Sequence, residues 1–289
     1  MEFVAIMSIM PMLRSKIMPF QYASIRGRGQ LKGMQQIEKW IRRNKRCRYF
    51  VKLDIIQCFK SIKVDVIDKF LIRDLNKNRK LVECLIRLIR LYERYDKNLG
   101  ELISDGLAIG TPISQWICNY VMSYVYRFVQ SMTYIRRNKE YRKIEKQLFY
   151  MDDILLLASS RKHMLSAIKD IIQYLNDEIH LQVHDDWRIL AVKKHPIDMM
   201  GYRIYYSHTE IRPRIFLRAR KQYIRSEREI RNLPYLSLYR SKSITAYYGY
   251  FKHTNSEDVC KKYSIKYVTN KAKQTQSHYA KEMNTYGFT

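Results

Sequence analysis

Turn-forming residues are scarce in this chain: 9 glycines and 6 prolines in 289 residues. That shortage excludes a collagen-like, low-complexity or loop-dominated protein and favours a compact, helix-rich one. Cysteine is sparse as well. Cys47, Cys58, Cys84, Cys118 and Cys260 are odd in number and widely separated, with no Cys-x-x-Cys pair. Zinc ribbons and a disulfide framework therefore lack support, and a reducing cytoplasm fits. The 7 histidines show no metal-ligand spacing. Residues 3–13 are mostly apolar, but the run is short, contains Pro11 and lacks a basic lead-in. It reads as neither a signal peptide nor a membrane span. No internal repeat or low-complexity tract is visible. Acids are the last shortage, 27 Asp+Glu against 54 Lys+Arg, for a formal net charge of +27.

Self-repulsion of that size costs stability unless a polyanion neutralises it. Nucleic acid is the leading partner, and an anionic membrane surface is the second. Basic clusters occur at 42–46, 136–137, 193–194 and from Arg212 to Arg228. Charge spread in this way suits a long groove better than one disordered tail. The 24 tyrosines, several beside basic residues, allow stacking on bases, although most tyrosines in such a chain belong to the core.

The chain is long enough to bury a sizeable core and divide into two or three lobes. Met34, Ile37, Trp40 and Ile41 share one face of an amphipathic helix over residues 33–45. Tyr49 to Ile55 alternates as a strand, with Val51, Leu53 and Ile55 on one side and Phe50, Lys52 and Asp54 on the other. Helices are expected at 64–75 and 79–94. Gly106, Gly110 and Pro112 then precede an aromatic helix at 114–131. A hairpin spans 147–158, a helix 162–177, and a second hairpin 199–214, turning near His208-Thr209. From Phe216 onward the pattern is helical, basic and rich in tyrosine. The layout is α+β, an antiparallel sheet covered by helices on one face.

The tetrapeptide Tyr150-Met151-Asp152-Asp153 lies between the apolar runs Leu148-Phe149 and Ile154 to Leu157. Adjacent acids flanked by buried strands are costly, because like charges repel and carboxylates resist desolvation. A solvated Asp-Asp turn accounts for the dipeptide by itself. A divalent cation that also holds nucleotide phosphates accounts for it with chemistry. Asp54, at the end of the first strand, is a third acid. If the hairpin pairs beside that strand, all three meet at one sheet edge. Three carboxylates suit two Mg²⁺ ions about 3.5–4 Å apart, as in-line phosphoryl displacement requires.

These residues fall into a set. Lys52-Leu53-Asp54-Ile55-x-x-x-Phe59-x-Ser61-Ile62 resembles motif A of reverse transcriptases. Gly106-Leu107-x-Ile109-Gly110-Thr111-Pro112-Ile113-Ser114-Gln115-Trp116 resembles their motif B, and Tyr150 to Asp153 their motif C. Met199-Met200-Gly201-Tyr202-Arg203-Ile204 resembles the primer-grip hairpin, with Met200 where leucine is usual. Order and spacing match over residues 20–215, and four ordered motifs are more specific than one tetrapeptide. Many enzymes of bacterial mobile elements carry Gln-Gly and then Ser-Pro in motif B; Ile109-Gly110 and Ser114-Gln115 stand here instead. That pattern, with the segments 22–30 and 247–253, resembles the enzymes of diversity-generating retroelements within the group II intron-like bacterial lineage. Antiphage-defence reverse transcriptases are the alternative.

The resemblance implies a polymerase right hand with an antiparallel-sheet palm. Partial fingers would occupy 1–47, palm with motif A 48–63, and a helical fingers or palm insertion 64–104. Palm with motifs B, C and D would continue over 105–215, and a basic helical thumb over 216–289. Asp54 and Asp152 would ligate metal with the Ile55 carbonyl, and Asp153 would be a weaker ligand or electrostatic helper. Phe59 would lie under the sugar, or else be a core residue. Ile109 and Gly110 would line the templating pocket, or form a helix-entry turn. Tyr150 and Met151 would pack near the primer end, and Met200, Gly201 and Tyr202 would grip the primer. The implied activity is RNA-directed DNA polymerisation with two Mg²⁺ ions, Mn²⁺ being the alternative. The partners would be an RNA template, a DNA or RNA primer, deoxynucleoside triphosphates, and an accessory protein or noncoding RNA, without a membrane. A cytoplasmic, bacterial or phage-encoded enzyme would fit. The first fingers motifs, with their basic residues, have no counterpart here. The expectation is a shortened copy, one that borrows fingers from a partner, or a weakly active RNA-binding relative.

Overall fold

The computed structural model describes residues 2–75, 78–91, 94–96, 101–103 and 106–285. Two compact units divide at His195 and Pro196. The first runs through α1 (Glu2–Lys16), α2 (Gln30–Arg43), β1 (Tyr49–Asp54), α3 (Cys58–Ser61), α4 (Val64–Asp74) and α5 (Arg79–Arg90). It continues through β2 (Arg94–Asp96), β3 (Glu101–Ile103), α6 (Pro112–Ser131), β4 (Thr133–Arg136) and β5 (Lys139–Arg142). It ends with β6 (Lys146–Tyr150), β7 (Asp153–Ala158), α7 (Arg161–Tyr174) and β8 (Leu190–Ala191). The second unit holds β9 (Ile197–Met199), β10 (Tyr202–Ile204), β11 (Thr209–Ile211), α8 (Pro213–Asn232), α9 (Leu238–Lys252), α10 (Glu257–Lys262) and α11 (Ile265–Thr285).

The central sheet is antiparallel, in the order β6-β7-β1-β8. Its middle strands are apolar enough to be covered on both sides. Residues 154–158 of β7 are wholly buried, as are Val51 and Leu53 of β1. Each fully buried Leu, Ile or Val contributes roughly 1.5–3 kcal/mol. Slipping the register by one residue would draw Asp54 or Asp153 toward the buried part of the sheet, and the desolvation cost opposes the slip. α6 and α7 pack against β6 and β7.

The outer edge of β6 is covered by the chain before α2. Gln21 bridges Phe149 in parallel, with Tyr22 N–H donating to the Phe149 carbonyl at 2.9 Å. Gln21 itself is fully buried and donates to the Asn119 carbonyl of α6 at 2.7 Å. Asn119 donates in turn to the Ala23 carbonyl at 3.0 Å. Arg28 closes the same segment through the carbonyls of Met18 and Gln21, at 2.6 and 2.8 Å. The edge of β6 is thus paired at Phe149, and the buried Gln21 and Asn119 side-chain amides find carbonyl acceptors.

Some elements differ from the pattern reading. The helix expected over 79–94 stops at Arg90; residues 92 and 93 lie outside the described set, and Arg94–Asp96 pairs antiparallel with β3. The hairpin of β4 and β5 was hidden by charge: its strands carry Arg136, Lys139 and Arg142 and remain largely exposed. The helix over 162–177 ends as α7 and passes into a π-helical turn, Leu175–Ile179. The single hairpin expected at 199–214 is a three-stranded meander, β11-β10-β9. The turn expected near His208-Thr209 is present between β10 and β11, and a further tight turn at Met200-Gly201, both at positive φ, joins β9 to β10. No helix among the described residues is long and apolar enough to cross a membrane.

A buried charge joins α1, α4 and α6. The Asp74 carboxylate is only 4% exposed and lies 2.8 Å from Lys16 Nζ. Tyr120 donates to it at 2.8 Å, and Tyr124 donates as well. Burial alone would raise the Asp74 pKa, but the hydrogen bonds from Lys16, Tyr124 and Tyr120 outweigh it and hold it down at about 2. A carboxylate depressed in the folded state adds stability above its unfolded pKa, and that stability is lost as pH falls through the folded value. Asp74→Asn should therefore destabilise the fold at pH 7 by about 3 kcal/mol. The gap to wild type should close as pH falls from about 4 toward 2. Denaturant unfolding across that range is the measurement; a gap independent of pH would refute the ionic role.

Candidate active site

The last residue of β1 and the first of β7 are both acids, and the register sets Asp54 directly opposite Asp153. Paired residues project to the same face, where like charges are destabilising. Lys52, two residues earlier and so on the Asp54 face, answers this with its Nζ 2.7 Å from the Asp153 carboxylate. Asp152 occupies the turn between the paired residues Tyr150 and Asp153, after Met151 at a left-handed φ of 54°. Ile55 N–H donates to the Asp152 carbonyl at 3.2 Å. On the other side of the strand, His184 N–H donates to the Asp54 carbonyl at 2.9 Å, and Ile56 N–H to the Gln182 carbonyl at 2.8 Å. The strand end is gripped from both flanks, and the Ile55 carbonyl accepts none of these bonds.

All three expected acids therefore share one end of the sheet. Burial raises the Asp152 pKa and the neighbouring Asp54 raises it further, with Lys52 opposing. Burial also raises Asp153; the hydrogen bond and charge of Lys52 lower it, while Asp152 and Asp54 push it up. This is the signature of acids short of positive charge. Among the described residues no group of three or more His, Cys, Asp and Glu side chains is arranged to hold a metal ion. Asp153 is engaged by Lys52, which leaves Asp54 and Asp152 as the available pair. That set still fits a hard divalent cation, since Mg²⁺ is commonly held by one or two carboxylates together with substrate phosphates and water.

The motif B segment is tied to motif A by backbone. Leu107 N–H donates to the Phe59 carbonyl at 2.6 Å. Gly106, at φ +96°, lies so close that a Cβ would meet the Lys60 carbonyl oxygen at 2.6 Å. Thr111 caps α6 through the Ser114 N–H, with Pro112 opening the helix. Gly110, at φ +93°, has open space around it, and Ile109 is 74% exposed. An isoleucine so exposed is no core residue. Phe59 and Met151 are half-buried against the core. Tyr150 is half-buried, with its pKa raised by burial against a hydrogen bond from Gln30. Met200, Gly201 and Tyr202 belong to the second unit, where the buried Tyr202 ring lies 5.1 Å from Tyr250. Sequence reasoning quoted Lys52, Gly106 and Gln30 within motif segments without giving them a role, and passed over His184. Lys52 was findable, because strand alternation places it beside Asp54; the other three depend on contacts between distant segments.

A family model of the reverse transcriptase (RNA-dependent DNA polymerase) matches residues 3–204. Telomerase from Candida tropicalis, in complex with a TWJ fragment of telomeric RNA, superposes with a TM-score of 0.56 at 11% identity, covering 98% of this chain and 46% of that one. The apo enzyme from the same organism gives 0.54 at 11% identity, over 98% and 50%. Telomerase from Candida albicans, with the same kind of RNA fragment, gives 0.52 at 12% identity, over 95% and 53%. At such identity the likeness is one of fold, a mixed helical and antiparallel-sheet polymerase architecture. The chain spans about half the length of these telomerases. No curated protein matches the chain.

The two glycines of motif B should behave differently. Gly110→Ala meets only the cost of a left-handed alanine, about 1–2 kcal/mol. Gly106→Ala adds a backbone clash to a similar cost and should destabilise clearly more. Thermal or denaturant unfolding of both variants checks this, and equal losses would mean that the Gly106 approach to Lys60 is not maintained.

Proposed function

Because the chain belongs to the reverse transcriptase family, we propose that it is an RNA-directed DNA polymerase. It extends the 3′-hydroxyl of a DNA or RNA primer along an RNA template, using deoxynucleoside triphosphates. The observation that carries this reading is the pairing of Asp54 with Asp153, with Asp152 stapled by its carbonyl to Ile55. Two of the telomerase neighbours were solved with a TWJ fragment of telomeric RNA, which supports RNA as a binding partner.

Asp54, Asp152 and the Ile55 carbonyl would hold the divalent cations, two Mg²⁺ or Mn²⁺ ions, with Asp153 as a weaker ligand or helper. Bound there, the cations supply charge neutralisation and Lewis-acid polarisation of phosphate oxygens for in-line displacement. Lys52 keeps Asp153 ionised and turned aside, so that Asp54 and Asp152 face the substrate. Phe59 lies under the sugar and rejects a 2′-hydroxyl by bulk. Tyr150 and Met151 pack near the primer end, and Met200, Gly201 and Tyr202 grip the primer strand. Palm covers 48–63 and 105–215, partial fingers 1–47, a helical fingers or palm insertion 64–104, and a basic helical thumb 216–289. The basic surface follows the phosphates of an RNA–DNA hybrid through charge and shape. The setting is a bacterial or phage-encoded cytoplasmic enzyme, working with an accessory protein or noncoding RNA.

Asp152→Asn tests the reading. It should abolish primer extension while leaving RNA affinity nearly unchanged, because a metal ligand is lost and the basic surface remains. Extension at the wild-type rate would overturn the assignment. A second reading, a weakly active RNA-binding relative, is favoured by the engagement of Asp153 with Lys52; wild-type protein that binds RNA without extending primers would support it.

The exposed Ile109 supports an error-prone enzyme of a diversity-generating retroelement. Isoleucine neither donates nor accepts, and apolar contacts discriminate between similar substrates by only about 1–3 kcal/mol. Errors should concentrate at template adenines and fall in Ile109→Gln. Deep sequencing of cDNA made by both proteins on one template is the check. Accurate wild-type copying without adenine bias would favour the antiphage-defence alternative.

A further inference from the structure

The second unit carries a cleft that the polymerase reading does not use. It opens where the end of α9, the short α10 and the start of α11 converge, with a volume of about 640 Å³. That size lies within the roughly 300–1,000 Å³ range of ligand sites. Two turns shape it. Thr254 and Ser256, whose hydroxyls are 2.7 Å apart, lead from α9 into α10. Ser264, at a left-handed φ of 48°, reverses the chain between α10 and α11.

Its lining joins two chemistries. Tyr248 is half-buried, Tyr267 is 52% exposed, and the buried Phe251 adds apolar surface. Lys252, Lys261 and Lys266 are exposed around the same cleft and form no salt bridge among the described residues. Glu257 is the lone acid of the lining. Three ammonium groups against one carboxylate in a cleft focus a field that attracts anions. Tyrosine faces beside that field suit a flat aromatic group, which stacks without demanding a particular hydrogen-bond pattern. A ligand that is aromatic at one end and multiply anionic at the other satisfies both. A plain phosphate would leave the rings unused, and an acidic peptide would leave them without a partner plane.

We propose that this cleft binds a nucleotide, its base against Tyr248 and Tyr267 and its phosphate on Lys252, Lys261 and Lys266. The hydroxyl lining carries no bidentate donor–acceptor set for one base edge, so base preference is weak. The nucleotide is either free in solution or one unpaired unit of an RNA strand. The inference stands apart from the polymerase reading, since it invokes none of the aspartates.

The test uses the full chain carrying Asp152→Asn, in EDTA, so that metal-dependent binding elsewhere is suppressed. AMP, ribose 5-phosphate and a short acidic peptide are titrated calorimetrically. A single-stranded RNA containing 4-thiouridine is photocrosslinked and the crosslinks are mapped. AMP binding that exceeds ribose 5-phosphate binding, falls about tenfold or more in Tyr267→Ala and in Lys261→Glu/Lys266→Glu, and survives Tyr267→Phe supports a free nucleotide; tenfold corresponds to an ordinary loss of one stacking or charge contact. Crosslinks at Tyr248 or Tyr267 that vanish in the lysine variant, without AMP binding, support a nucleotide unit of RNA. The proposal is overturned if ribose 5-phosphate binds as well as AMP, if the acidic peptide binds better than either, or if neither AMP binding nor cleft crosslinks occur. Circular dichroism confirms that each variant is folded, and the Tyr267→Phe protein controls for loss of structure.

Discussion

Two carboxylates face each other across adjacent strands of a buried sheet, and much of the first unit is arranged around their repulsion. The apolar runs on either side cannot relieve it, because moving Asp54 and Asp153 apart means slipping the register of β1 against β7. The chain instead holds the strand end rigidly and supplies limited positive charge. Lys52 neutralises Asp153 from the neighbouring strand, on the same face of the sheet. The Ile55, Ile56 and His184 amides fix the backbone on both flanks. What is left is a pair, Asp54 and Asp152, with positive charge still wanting and the Asp152 carboxyl held above the ordinary range. Folding energy from the sheet is thereby converted into a site whose deficit an external cation can fill.

The supports around that site are themselves polar and buried. Gln21 and Asn119 tie the segment before α2 to α6 and to the edge of β6, so that motif B and motif C share one scaffold. Asp74, with Lys16, Tyr120 and Tyr124, clamps α1 and α4 to the same helix. Cys58 in α3 and Cys118 in α6 bring their Sγ atoms to 3.8 Å in the core, another contact between motif A and motif B elements. Apolar packing alone would allow α6 several rotations against the sheet. Buried hydrogen bonds, which fix direction as well as distance, select one.

What was legible in the sequence was whatever repeats along a strand or helix. Alternation in 49–55 placed Lys52 and Asp54 on a common face, and the apolar flanks of 150–153 placed a hairpin there. α2 followed from amphipathic spacing, and α6 from the Gly110 and Pro112 punctuation before an aromatic run; the Thr111 cap became visible only in the structure. The β4–β5 hairpin was not legible, since its strands are charged on both faces and gain little from burial. The meander was half legible: its strands were seen, but Met200-Gly201 forms a tight turn that the composition around it does not advertise. The closest approaches, Gly106 on Lys60 and His184 on Asp54, join segments remote in sequence and leave no local trace.

The shortage of glycine has a structural counterpart. Several turns in this chain take left-handed backbone with a side chain attached, Gln57, Met151 and Met200 among them. Each such residue costs about 1–2 kcal/mol that glycine would avoid. Where the side chain does nothing, glycine is the cheaper choice, and at Gly106, where the Lys60 carbonyl leaves no room, it is the only fit. At Met151, the turn residue before Asp152, the side chain is partly buried against the core. A glycine there would relax the backbone and also free the turn to move. The strained methionine therefore fixes the direction of the Asp152 backbone, which is the property the proposed metal site most needs and the one that propensity alone would not select.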